Sequence, residues 1–222
     1  MKYYVGKFDP IQLIIKVNGK LCNMDCAYCY EQVREYETTQ AISVNILEST
    51  LRLFEGRPLS VQLHGGEPLM CDIKLMRDIL ICLKKYPNEL TVNIQTNGTL
   101  LDDKWLDLFD EVFPSIEIGI SSDGDKLSNV YRRDKKGNST VDMVEKALSI
   151  CSKRNRSVGI IAVVNRASLN RQKAILEYFS SYPAIKVVNF MPCFDLKVVD
   201  GFECGDYLIT LDEYNKFILT LF

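Results

Sequence analysis

The stretch IQLIIKVNGKLCNMDCAYC, residues 11–29, decides how the rest of the chain is read. Its first part, IQLIIKV from Ile11, is apolar and β-branched and reads as a strand. Directly after that strand stand Cys22, Cys26 and Cys29, in a C-x3-C-x2-C spacing. Thiolates bind iron or zinc. Three of them on one short loop can cap one face of an iron–sulfur cubane. The fourth metal position then stays open, which suits chemistry better than a purely structural site. A structural zinc normally closes with four ligands. The single histidine, His64, is available as the fourth. A structural zinc loop, or three incidental cysteines, therefore stands beside the cluster reading.

Five more segments read as strands: LSVQL from Leu59, LTVNIQ from Leu90, SIEIGI from Ser115, SVGIIAVV from Ser157 and IKVVNF from Ile185. Helix-period stretches lie between them, starting at Ser43, Asp72, Ser139, Ser168 and Leu211. Ser43, Asp72 and Ser139 are candidate N-caps. Alternating strands and helices imply parallel βαβ units. Six such units fall short of the eight of a full barrel. The expected fold is α/β, a partial, open (β/α)6 TIM-like barrel, in one domain over residues 1–222. A doubly wound sheet is the alternative, because periodicity does not give strand order. The last helical stretch runs to Phe222 with no stop signal, so the chain is expected to be cut rather than finished.

The totals narrow the function. The chain has 222 residues, 47% hydrophobic and 25% charged, the profile of a globular protein with a core that needs no disulfide staples. Its net charge of −2 argues against coating nucleic acid. No apolar run has the length of a membrane span, and no apolar signal core follows the first residues. The expected compartment is the cytoplasm, where the eight cysteines should not pair. Cys71, Cys82, Cys151, Cys193 and Cys204 read as small structural hydrophobes.

Further motifs sit where strands end, the place where active sites of such folds gather. HGGEP, His64 to Pro68, follows the second strand. Its glycines, Gly65 and Gly66, let backbone approach a ligand, and Pro68 fixes the exit. Glu67 or freed carbonyls can accept hydrogen bonds from an ammonium. His64 reads as a hydrogen-bonding pocket wall. QTNG, Gln95 to Gly98, ends the third strand and is by itself a turn. SSDG, Ser121 to Gly124, ends the fourth; Ser121 Oγ can bond a ribose hydroxyl, while Asp123 and Gly124 shape the turn. Arg133, in YRRD, offers a guanidinium fork that matches a carboxylate. Taken alone, that arginine pair is equally a solvated surface.

With Tyr28 just before the third cysteine, the loop CNMDCAYC resembles the signature of the radical S-adenosylmethionine (SAM) superfamily. The resemblance runs from the first strand to the last helix and lies nearest the anaerobic sulfatase-maturing and other SPASM-type peptide-modifying enzymes. It implies a 4Fe–4S cluster on Cys22, Cys26 and Cys29, with SAM chelated at the open iron. One electron would split the sulfonium and give a 5′-deoxyadenosyl radical, which takes a hydrogen atom from the substrate. It implies that the GGEP segment holds the methionine amino group, and that Thr96 and Asn97 line the pocket. It also implies that Ser121 and Arg133, preferred over Arg132, contact SAM, and that Met191 lies near the adenine. A peptide or protein substrate and a flavodoxin- or ferredoxin-type electron donor follow from it. The auxiliary-cluster region of that group has no counterpart here. A small-molecule radical SAM enzyme and a non-catalytic metal-binding module are the alternatives.

Overall fold

The computed structural model describes residues 9–31, 40–194 and 205–221. All six expected strands are present: β1 Ile11–Lys16, β2 Leu59–His64, β3 Leu90–Thr96, β4 Glu117–Ser121, β5 Val158–Val164 and β6 Ile185–Pro192. They form one sheet in the order of the chain, β1-β2-β3-β4-β5-β6. A doubly wound sheet reverses its strand order part-way. This one does not, so the fold is the partial (β/α)6 arrangement. The helices are α1 Val44–Arg52, α2 Ile73–Lys84, α3 Asp103–Val112, α4 Val141–Lys153, α5 Gln172–Ser180 and α6 Leu211–Leu219. No helix among the described residues is long and apolar enough to cross a membrane.

The described chain divides into two compact units. The first holds residues 9–22, 40–96 and 100–118. In it β1, β2 and β3 pair in parallel, with Ile11 opposite Leu59 and Leu59 opposite Leu90. The strands alternate. Leu59, Val61, Leu63, Val92 and Ile94 are buried, together with Leu47, Met76, Leu80, Leu106 and Phe109 from the helices. The intervening Ser60, Gln62, His64 and Asn93 are half-buried and polar. A parallel sheet covered on both faces would be apolar on both. Here one face builds the core and the other is fit for a polar ligand.

The second unit holds residues 23–31, 97–99, 119–194 and 205–221. Its β5 and β6 are parallel, with a register shift between Val158 and Gly159. Val158, Ile160, Ala162 and Val164 are buried, as are Val144, Leu148 and Cys151 of α4 and Ile175 and Phe179 of α5. The end of α6 departs from expectation. The helix stops at Leu219, where Thr220 turns its hydroxyl back onto the Lys216 and Phe217 carbonyls at 2.9 Å each. Cys71, Cys82, Cys151 and Cys193 are buried as expected. Cys204 lies outside the described residues.

One helix, α3, was not expected from the sequence. Its cap explains it: Asp102 Oδ1 accepts from the Lys104 and Trp105 amides at 3.0 and 3.2 Å. Asp72 caps α2 similarly, through the Lys74 amide at 2.7 Å. Ser43 stands at the N-cap of α1 but makes no capping bond. Asp102→Ala should therefore cost about 1 kcal/mol of stability in chemical denaturation, whereas Ser43→Ala should change it by no more than a few tenths. Equal losses would contradict the cap assignment.

Candidate metal centre and cofactor site

In the first unit, the turn after β2 is built against the chain that leads into Cys22. The Val17 amide donates to the His64 carbonyl at 2.8 Å, Gly66 to Gly19 at 2.9 Å, and Glu67 to Leu21 at 2.8 Å. A Cβ on Gly66 would lie 2.2 Å from the Leu21 carbonyl oxygen, and one on Gly65 2.7 Å from that of Gly19. Gly65 also has φ +128°, a conformation that side chains resist. The glycines do permit a close approach, but the strand they admit is the segment 19–21 itself. Their demonstrated work is to seat the entry to the cysteine loop.

Glu67 is fully buried. Its Oε1 accepts from the Leu69 amide at 2.9 Å and from Thr96 Oγ1 at 2.6 Å. The carboxylate thus caps the single turn Pro68–Met70 and binds the end of β3. Glu67 Oε1, expected to face a ligand, is instead engaged within the turn. His64 Nδ1 accepts the Gly65 amide at 2.7 Å.

In the second unit, the cysteine loop is held by the segment that follows SSDG. The Asp25 amide donates to the Arg133 carbonyl at 2.8 Å and the Ala27 amide to that of Tyr131 at 3.0 Å. Asn23 Oδ1 accepts from Asn97 Nδ2, and Asn23 Nδ2 donates to Thr99 Oγ1, each at 2.8 Å. Asn97 of the QTNG turn is therefore a brace for the loop. Cys22, Cys26 and Cys29 carry thiols and are partly exposed. Among the described residues, no three His, Cys, Asp or Glu side chains converge on a point that would hold a single metal ion. A cubane presents separate irons to its thiolates, so its ligands need no such convergence.

Tyr28 reaches Asp123, to which its hydroxyl donates. Asp123 is buried and also accepts from the Val163 amide at 2.9 Å and from Asn165 Nδ2 at 3.0 Å. Arg132 Nη1 lies 3.4 Å from the Tyr28 hydroxyl. Burial pushes the Asp123 carboxyl up to about 6, against the pull of the Arg132 guanidinium and these hydrogen bonds. Burial, then the Asp123 charge, raises the Tyr28 phenol well above its ordinary range, so it stays a donor.

The two neighbouring arginines part company. Arg133 is exposed, and its Nε donates to the Val130 carbonyl at 2.6 Å. Arg132 is the buried one, at 7% exposure. Nothing in the residue types separates them; the turn from Asn129 to Arg132, closed by a hydrogen bond of 3.0 Å from the Arg132 amide to the Asn129 carbonyl, does. Asn129, 2% exposed, accepts the Asp123 amide through Oδ1, while its Nδ2 is buried without a partner among the described residues. A buried donor left open and a buried guanidinium three residues on fit an acceptor-rich, anionic cofactor. The three partly exposed thiols fit an iron–sulfur cluster. Ser121 closes β4 and is half-buried, and Met191 on β6 is 52% exposed. The sequence reading gives Asp123 only a turn-forming part and ranks Arg132 behind Arg133; it singles out neither Asn129 nor Asn165.

The seating of residues 19–21 on the glycine turn is directly testable. Gly66→Ala forces an overlap with backbone, which cannot rotate away, and should destabilise the protein by about 1–3 kcal/mol in thermal or chemical unfolding. An unchanged midpoint would show that the segment is not packed there.

The model of the Radical SAM superfamily matches residues 19–178. A cysteine-type anaerobic sulfatase-maturating enzyme of Clostridium novyi is 27% identical over 224 residues, covering 96% of this chain and 59% of the relative. A serine-type anaerobic sulfatase-maturating enzyme of Bacteroides thetaiotaomicron is 25% identical over 243 residues, covering 99% of this chain and 58% of the relative. The solved structure of native anSMEcpe with bound AdoMet superposes with a TM-score of 0.83 at 25% identity, over 95% of this chain and 58% of that one. The chain thus spans about three-fifths of the length of these relatives. A family match over most of its length, on a six-strand α/β sheet in chain order, places this chain in the radical SAM superfamily.

Proposed function

We propose that the protein is a radical SAM enzyme that binds a 4Fe–4S cluster through Cys22, Cys26 and Cys29 and acts on a peptide or protein substrate. The observation that carries this reading is the cysteine loop itself. It follows β1 directly, keeps its three thiols out of disulfides, and bonds its Tyr28 to a buried carboxylate beside a buried guanidinium. The peptide or protein substrate is supported by the relatives, which are sulfatase-maturating enzymes of both the cysteine and the serine type. When bound, the cluster supplies the electron that splits the SAM sulfonium, giving methionine and a 5′-deoxyadenosyl radical that removes a hydrogen atom from the substrate.

The chain's own residues position and shield. Gly65 and Gly66 seat the loop entry, and Glu67 fixes the turn whose carbonyls face the methionine ammonium. Thr96 ties that turn to β3. Arg132, not Arg133, faces the methionine carboxylate, with Asn129 Nδ2 as a neighbouring donor. Ser121 serves the ribose, and Tyr28 and Met191 flank the adenine. The electron donor is a flavodoxin- or ferredoxin-type protein.

Anaerobically reconstituted protein, given dithionite and SAM, should release 5′-deoxyadenosine, detected by mass spectrometry. Cys26→Ala should release none. Release that survives this substitution would sink the reading. Arg132→Ala should weaken SAM binding by about 2 kcal/mol, roughly thirtyfold in Kd, through loss of a charge-assisted pair. Arg133→Ala should leave Kd within about twofold. The reverse order of effects would return the carboxylate to Arg133.

A further inference from the structure

Asp123 gathers donors from segments far apart in sequence. Tyr28 comes from the cysteine loop, and the Val163 amide and Asn165 Nδ2 come from the end of β5 and just beyond it. Its own amide is held by Asn129 Oδ1 at 2.9 Å. A turn needs none of this. A buried carboxylate with that many partners is costly to desolvate and must be balanced by charge. Arg132 supplies the balance. Its Nη1 lies 3.4 Å from the same Tyr28 hydroxyl that donates to Asp123. A buried cation and a buried carboxylate thus meet at the hydroxyl of Tyr28, the residue just before Cys29 in the cysteine loop.

From this arrangement we infer that Asp123 and Arg132 form a charge pair that sets the reduction potential of the metal group held by the cysteine loop. Asp123 is a positioning residue, acting through Arg132 and Tyr28. The inference rests on the cluster reading above. Reduction adds an electron to that metal group. A positive charge there favours the reduced state, and a negative charge that offsets it favours the oxidised state. Burial lets both act with little screening. Removing the carboxylate leaves Arg132 uncompensated and raises the potential. Removing the guanidinium lowers it. Removing both returns it toward the starting value, because the two charges act on each other as well as on the loop.

The test is a redox titration of the reconstituted protein without SAM, followed by electron paramagnetic resonance. It is run at pH 8, where the Asp123 carboxyl is ionised. Asp123→Asn keeps the shape and should shift the midpoint upward. Arg132→Gln should shift it downward, and the double variant should lie between them. Tyr28→Phe removes the hydrogen bond to the loop but neither charge, so its midpoint should stay nearer the parent than either charge variant. A tether without electrostatic effect would instead make Tyr28→Phe and Asp123→Asn behave alike. Shifts of the same sign, or none, overturn the inference. Iron and labile sulfide are assayed on every sample. Absence of both from the parent protein defeats the cluster reading, which is a separate failure. If Asp123→Asn does not retain its iron, Arg132→Gln decides: a lowered midpoint supports the pair and an unchanged one overturns it.

Discussion

The segment from Cys22 to Cys29 forms no helix or strand of its own, so its shape is imposed by the groups that bond its backbone and side chains. Buried amides must find partners. The approach to the loop meets them at the glycine turn after β2, where Gly66 and Glu67 donate to Gly19 and Leu21. The loop itself meets them at the carbonyls of Tyr131 and Arg133 and at the side chains of Asn97 and Asp123. The motifs at the ends of β2, β3 and β4 therefore have structural jobs. HGGEP seats the segment that leads into Cys22, QTNG braces the loop, and SSDG anchors its tyrosine. These jobs account for residue types that a ligand-binding role alone would leave open. A glycine is required at position 66 because backbone stands 2.2 Å from where a Cβ would be.

The strands carry two messages at once. Along β2 the buried Leu59, Val61 and Leu63 alternate with half-buried Ser60, Gln62 and His64. The first set supplies the apolar burial that stabilises the unit. The second leaves a polar face on a parallel sheet, which a purely structural sheet would cover with apolar groups. Stability and function are thus divided by the period-two geometry of the strand rather than by position along the chain. The charges follow the same economy. Asp123 and Arg132 are buried beside the Tyr28 hydroxyl, while ion pairs such as Arg77–Glu111, at 2.5 Å, lie on the exposed surface, where they contribute little.

The strands were legible because apolar, β-branched runs ended by turn residues leave few other readings. The chain-order sheet was then the simplest arrangement of alternating units. Helix α3 was missed because LDDKWLDLFDEV opens with a pair of acids that resembles a surface turn; only the Asp102 cap bonds reveal a helix start. The cysteine spacing was legible because three thiols on one loop are chemically specific. The roles of the other motifs were less so. Sequence shows that Glu67 is acidic but not that it turns inward to Leu69 and Thr96. It shows two adjacent arginines but not which is buried. Side-chain direction in a turn depends on backbone bonds formed by residues elsewhere, such as the Thr140 hydroxyl on the Arg132 carbonyl at 3.3 Å. The buried Asp123 network was hidden for the same reason: Tyr28, Asp123 and Asn165 are far apart in sequence.

The central claim is that three thiolates hold a cubane with one iron left open. The most direct measurement is Mössbauer spectroscopy of protein reconstituted anaerobically with iron-57 and sulfide, recorded with and without SAM. The account predicts a 4Fe–4S spectrum in which about one iron in four changes its isomer shift when SAM is added, because only that iron lacks a thiolate. Stoichiometric zinc in place of iron, or a spectrum whose irons are indifferent to SAM, would contradict it.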